Sequence, residues 1–116
     1  MKDNAIAIKS KEFGKRIVKA YQFLLKSNET IMSKQLLRSG TAIGALVKEG
    51  EFAQSKADFV NKMSIALKEA NETLYWIDLL HHGEYFNEVT AKSLSDEVKE
   101  LISLLVAIIK SSKGVD

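Results

Sequence analysis

The chain of 116 residues contains no cysteine and no proline, two histidines, two arginines, one tryptophan and six glycines. Without cysteine there is no disulfide framework and no thiolate-held metal or cluster, and nothing calls for an oxidising compartment. Without proline, no residue stops a helix by removing a backbone donor. Leu, Ala, Lys, Glu and Ser dominate, which favours long uninterrupted helices over strands. The two histidines, His81 and His82, are adjacent, so no spacing points to a base-activated nucleophile. A carboxylate-bridged di-iron bundle needs two Glu-x-x-His units. This chain has a single Asp78-x-x-His81, and His81 at a helix end reads as capping or packing. No enzymatic activity, metal, cofactor or small-molecule substrate is expected.

Long hydrophobic runs are also missing. The longest, LISLLVAII at 101–109, is broken by Ser103 and is too short to span a bilayer. The first residues lack the apolar core of a signal peptide. A soluble cytoplasmic protein with no membrane partner is expected. The length fits one domain over residues 1–116, large enough for a core without staples.

Charge is nearly balanced overall at +2 but unevenly spread. Residues 1–48 carry ten Lys/Arg against three Asp/Glu, a balance of +7. Residues 49–116 carry seven against twelve, a balance of −5. Such asymmetry fits a basic surface for nucleic acid, or basic and acidic faces meeting between subunits.

Apolar spacing predicts four helices. The first runs from about Ala5 to Ser27, with Ile6, Phe13, Ile17, Tyr21 and Leu24 on one arc, widened by Val18 and Leu25. Lys11, Lys15, Lys19 and Lys26 form the opposite arc, Lys9 and Arg16 flank it, and Phe23 falls among these basic residues. SNET at 27–30 is a polar break with several possible caps. The second helix runs from about Met32 to Phe52. Ser55 with Asp58 resembles a capping box for a third helix, Lys56 to His82, whose Gly83 fits the C′ position. Phe59, Met63, Ala66, Ala70, Leu74 and Ile77 form its core stripe. The fourth runs from about Glu88 to Ser112, with Leu94, Val98, Leu101, Leu105 and Ile108 inward. Four such helices with short connections predict an all-α, antiparallel up-down-up-down four-helix bundle.

RSGTAIGALVKEG at 38–50 places Gly40 and Gly44 inside a helix, each costing roughly 0.5–1 kcal/mol relative to alanine. Close packing of a neighbouring backbone offsets that cost. A phosphate-cradling loop needs a preceding strand and the full glycine pattern. A helix-turn-helix with its turn at Gly40 competes, but the flanking helices are too long for that module.

QLLRSGTAIGALVKEG followed by SKADFVNKMSIALKEANETLYWIDLL resembles the four-helix bundle proteins encoded in intervening sequences of bacterial 23S ribosomal RNA genes, the S23 family. The accessory protein of diversity-generating retroelements is a more distant likeness. Arg38, Ser39, Ile43, Glu49 and Gly50 match the family pattern, as do Phe59, Ala66, Leu67, Glu69 and Glu72. Ala42 and Leu46 stand where the family usually has Ser and Asn. The resemblance implies a bundle assembled as a ring-shaped homopentamer with no established enzymatic activity. The retroelement likeness implies RNA binding through a basic surface.

Two candidate surfaces follow. Lys11, Lys15, Arg16, Lys19, Lys26 and Arg38 are the candidate nucleic-acid-binding residues, spaced to track a phosphate backbone. With only two arginines, recognition is expected to follow backbone or shape rather than base edges. Ile65, Glu69, Glu72, Trp76 and Leu79 form a second stripe on the third helix, a candidate homo-oligomer interface. Arg38 and Glu49 lie too far apart to pair with each other, so each is expected to pair elsewhere, Arg38 with a structural partner. The alternative function is a protein–protein scaffold with no nucleic-acid partner.

Overall fold

Connections of five residues, at 27–31, 51–55 and 83–87, join the four helices. Loops this short force each helix to run antiparallel to the one before it. The computed structural model describes residues 4–114. The helices are α1 (Ala5–Lys26), α2 (Met32–Gly50), α3 (Lys56–His82) and α4 (Glu88–Ser112). Each packs on its chain neighbours, and α1 closes the ring against α4 over the smallest of the four interfaces. The bundle measures 45 × 23 × 21 Å, its long axis close to the roughly 40 Å of a 27-residue helix at 1.5 Å per residue. No helix among the described residues is long and apolar enough to cross a membrane.

Side-chain caps set the starts of α2, α3 and α4. Ser55 Oγ accepts from the Asp58 N–H at 3.0 Å, and the Asp58 carboxylate accepts from the Gln54 N–H at 3.2 Å. Asn87 Oδ1 accepts from the Thr90 N–H at 2.8 Å. The α2 cap is different. The Glu29 carboxylate, from within the SNET break, accepts from the N–H groups of Ile31, Met32 and Ser33 at 3.3, 3.1 and 2.6 Å. Glu29 is 6% exposed, so one buried carboxylate satisfies three orphan donors at a helix N-terminus.

Two helices end alike. After α1, Asn28 takes φ 65°, its N–H bonds the Leu25 carbonyl, and the Glu29 N–H bonds the Leu24 carbonyl. After α3, Glu84 takes φ 67°, its N–H bonds the His81 carbonyl, and the Tyr85 N–H bonds the Leu80 carbonyl. Both are Schellman turns. Gly83, expected at C′, instead sits one position earlier at φ −77°. The left-handed position falls to Glu84, because α3 ends only where Tyr85 and Phe86 turn back onto the Leu80 carbonyl.

Phe13, Ile17 and Leu24 of α1 join Leu36, Ile43, Met63, Ile77, Leu80, Leu94, Leu101 and Leu105 in one core. Val18 and Leu25, expected to widen the α1 arc, are 40% and 38% exposed. At 100° per residue they lie past the edge that α2 covers. Gly40 and Gly44 of α2 face α1. A Cβ on Gly40 would stand 2.8 and 3.0 Å from the γ-carbons of Ile17, and one on Gly44 would stand 3.3 Å from the Ser10 carbonyl oxygen. Their propensity cost is therefore exchanged for close approach of α1.

Candidate nucleic-acid interface

Burial of Phe13, Ile17 and Leu24 turns Lys11, Lys15, Lys19 and Lys26 outward, and all four are exposed. Lys15 bonds Glu12 on its own helix at 3.0 Å. Lys11, Lys19 and Lys26 make no ion pair among the described residues. The flanking basic residues behave otherwise. Arg16 Nη1 donates to Glu97 Oε2 at 2.7 Å and to Ser93 Oγ at 2.9 Å, and Lys9 pairs with Glu100 at 2.9 Å. They clamp α1 to α4 across the narrowest interface of the bundle. The basic arc thus divides into an outward lysine face and a structural edge.

Arg38 belongs to a second cluster. Its guanidinium reaches from α2 to Glu69 at 3.3 Å and to Glu72 at 2.5 Å on α3. Glu72 Oε2 also accepts from the Trp76 indole N–H at 2.9 Å. The Arg38 hydrogen bond, then that of Trp76, holds the Glu72 carboxyl below its ordinary value, and Glu72 in turn raises Arg38. Under the cluster, Thr73 Oγ1 lies 2.9 Å from Ser39 Oγ and 2.8 Å from the Glu69 carbonyl, so the α2–α3 seam carries buried polar contacts. One candidate nucleic-acid residue and three candidate interface residues therefore meet inside a single chain.

Periodicity places Ile65 and Leu79 on this same flank of α3, both half-buried, while Trp76 packs against the core. The flank turns toward α2 rather than standing fully free. Tyr75 is exposed, its ring edge-on to Trp76 at 5.1 Å. Glu49, expected to find a partner, is exposed and makes no ion pair among the described residues. Leu46, where the resemblance calls for Asn, packs against the core, and Ala42 is half-buried.

Sequence reasoning missed two features. Glu29 appeared only as part of a polar break, because a cap three residues ahead of a helix has no simple spacing signal. The cleft beside Phe23 joins α1 to Phe86, Thr90 and Leu94, residues brought there by the fold alone. The visible part was an aromatic stranded among lysines.

The model of the 23S rRNA-intervening sequence protein family matches residues 2–107. The chain belongs to that family. A crystal structure of an S23 ribosomal protein family member of unknown function, from Bacteroides thetaiotaomicron VPI-5482, is similar throughout. It is 51% identical, with a TM-score of 0.90 over 91% of this chain and 99% of the other. Comparison with curated proteins finds no match. The family thus spans the bundle from α1 into the last turns of α4, including every candidate residue named above.

Proposed function

We propose that this member of the 23S rRNA-intervening sequence family is a non-enzymatic, cytoplasmic, oligomeric bundle. It binds structured RNA by phosphate contacts along α1. The observation that carries the reading is the set of exposed lysines, Lys11, Lys19 and Lys26, which make no ion pair among the described residues while neighbouring basic residues are engaged. They extend along about 22 Å of helix at 1.5 Å per residue, enough to follow successive phosphates. Both arginines are held in ion pairs, so the base-edge forks that read sequence are occupied. Binding is therefore directed by backbone and shape. A homo-oligomer, a pentamer by the S23 resemblance, repeats the patch and multiplies its field.

The test is titration of nucleic-acid-free protein into labelled structured RNA and a DNA duplex at two salt concentrations. The Lys11→Gln/Lys19→Gln/Lys26→Gln variant is run beside it. Salt-sensitive binding that weakens in the variant, with oligomeric mass unchanged by light scattering, is expected. Absence of binding at low salt overturns the reading. It leaves a protein–protein scaffold, which the exposed Ile31, Phe52, Tyr75 and Val89 favour.

A further inference from the structure

The bundle leaves Phe23 53% exposed in the midst of its basic helix. Burying such a side chain fully is worth about 1.5–3 kcal/mol, and at Phe23 the single chain leaves about half of that unrealised. Lys19 and Lys26 lie four residues before and three after it, the spacings at which helix side chains are surface neighbours. No aromatic ring packs on it and no cation sits over it among the described residues.

Phe23 forms one wall of a cleft of about 380 Å³ between α1 and α4, within the roughly 300–1,000 Å³ of small-ligand sites. Phe86 and Leu94 supply apolar surface, Thr90 a hydroxyl, and Arg16 and Lys19 the charge. Among the described residues, no carboxylate lines it. A second cleft on the same seam, of about 430 Å³, is different. There Glu12, Glu97 and Glu100 outnumber Lys9 and Arg16, and the lining is net acidic. The Phe23 cleft thus combines an open aromatic face, apolar walls and uncompensated positive charge at Lys19. A planar aromatic group carrying an anion complements all three.

We propose that this cleft receives an unpaired nucleotide, its base stacked on Phe23 and its phosphate at Lys19. The inference rests on the RNA-binding reading above and deepens it. The lysine face supplies sequence-independent affinity, and Phe23 selects RNA that offers a looped-out base over a continuous duplex. Base–aromatic stacking tolerates any base, which suits a protein whose arginines are both engaged.

The test compares a hairpin RNA carrying 2-aminopurine in its loop, the matching DNA hairpin, and a fully paired RNA duplex. Wild type, Phe23→Ala, Phe23→Leu and Phe23→Tyr are titrated with each, and oligomeric mass is checked by light scattering. Stacking is expected to change 2-aminopurine fluorescence in wild type and Phe23→Tyr. Phe23→Ala and Phe23→Leu are expected to lose about tenfold in hairpin affinity with duplex affinity unchanged. An equal loss on the DNA hairpin assigns the site to the base and phosphate; a loss confined to RNA assigns it to RNA. Unchanged hairpin affinity in Phe23→Ala and Phe23→Leu overturns the inference and leaves the lysine reading standing. So does an equal loss on hairpin and duplex. A changed oligomeric mass in the variants also overturns it, making Phe23 a subunit contact. Failure of wild type to bind any of the three at low salt overturns both.

Discussion

Ile17 decides what Gly40 can become. Its γ-carbons are fixed directly to a β-branched, fully buried side chain and cannot swing aside from a new Cβ at 2.8 Å. Gly40→Ala gains helix propensity of about 1 kcal/mol but meets an overpacking cost of about 1–3 kcal/mol, so a net loss of stability is expected. Gly14 is its control. A Cβ there meets nothing within 4 Å, and no contact explains the glycine. Gly14→Ala is expected to stabilise by about 0.5–1 kcal/mol. Opposite shifts in thermal midpoint check the pair. Glu84 gives a third residue-scale test. A left-handed backbone costs an L-residue roughly 1–2 kcal/mol, so Glu84→Gly is expected to raise stability by about 1 kcal/mol in urea unfolding. If Glu84→Gly is neutral, the turn at φ 67° is not strained.

At the scale of elements, charge pairs border two helix seams, the smallest, α1–α4, and the most extensive, α2–α3. Arg16 and Lys9 bridge α1 to α4, and Arg38 bridges α2 to α3. Arg38 is about half exposed, so its pairs contribute only about 1 kcal/mol. Their pH dependence has a definite sign. Glu72 is held below its ordinary value in the folded chain. As pH falls, the unfolded carboxyl takes up a proton first, so acid favours unfolding. The stabilisation is present above the ordinary value of 4.5 and is lost as pH drops through the lowered one. Wild type is expected to lose more stability than Glu72→Gln between pH 7 and about pH 3, as measured by urea midpoints. Equal loss in both proteins shows that Arg38 and Trp76 do not hold the charged form. The seams were only partly legible in the sequence. Arg38 was expected to have a structural partner, but its acidic partners read as interface residues.

At the scale of the molecule, α1 and α2 carry the basic excess and α3 and α4 the acidic one. Each glutamine replacing Lys11, Lys19 or Lys26 is expected to lower the slope of log affinity against log salt by about one. Charge removal at Arg16 is expected to act differently, lowering stability by about 1 kcal/mol through loss of the Glu97 pair while leaving the salt slope nearly unchanged. Parallel binding isotherms and denaturant curves separate the two. A fall in oligomeric mass with the lysine variants assigns the basic face to subunit contacts instead.

Local physics made most of this protein readable before any fold was known. A 3.6-residue apolar period, the Ser55 cap and the absence of proline determined four helices and their bounds to within two residues. The 38–50 motif determined the family and the need for close packing at Gly40 and Gly44. Which charges stay free was decided only by tertiary structure. Arg16 meets Glu97 across 81 positions, and Arg38 meets Glu72 across 34. Helix periodicity places Arg16 on the flank of the basic arc and Lys19 within it, but does not say what faces either. The helix rotation turns one toward α4 and the other to solvent, because the phase of each helix is set by how its apolar stripe meets its neighbours.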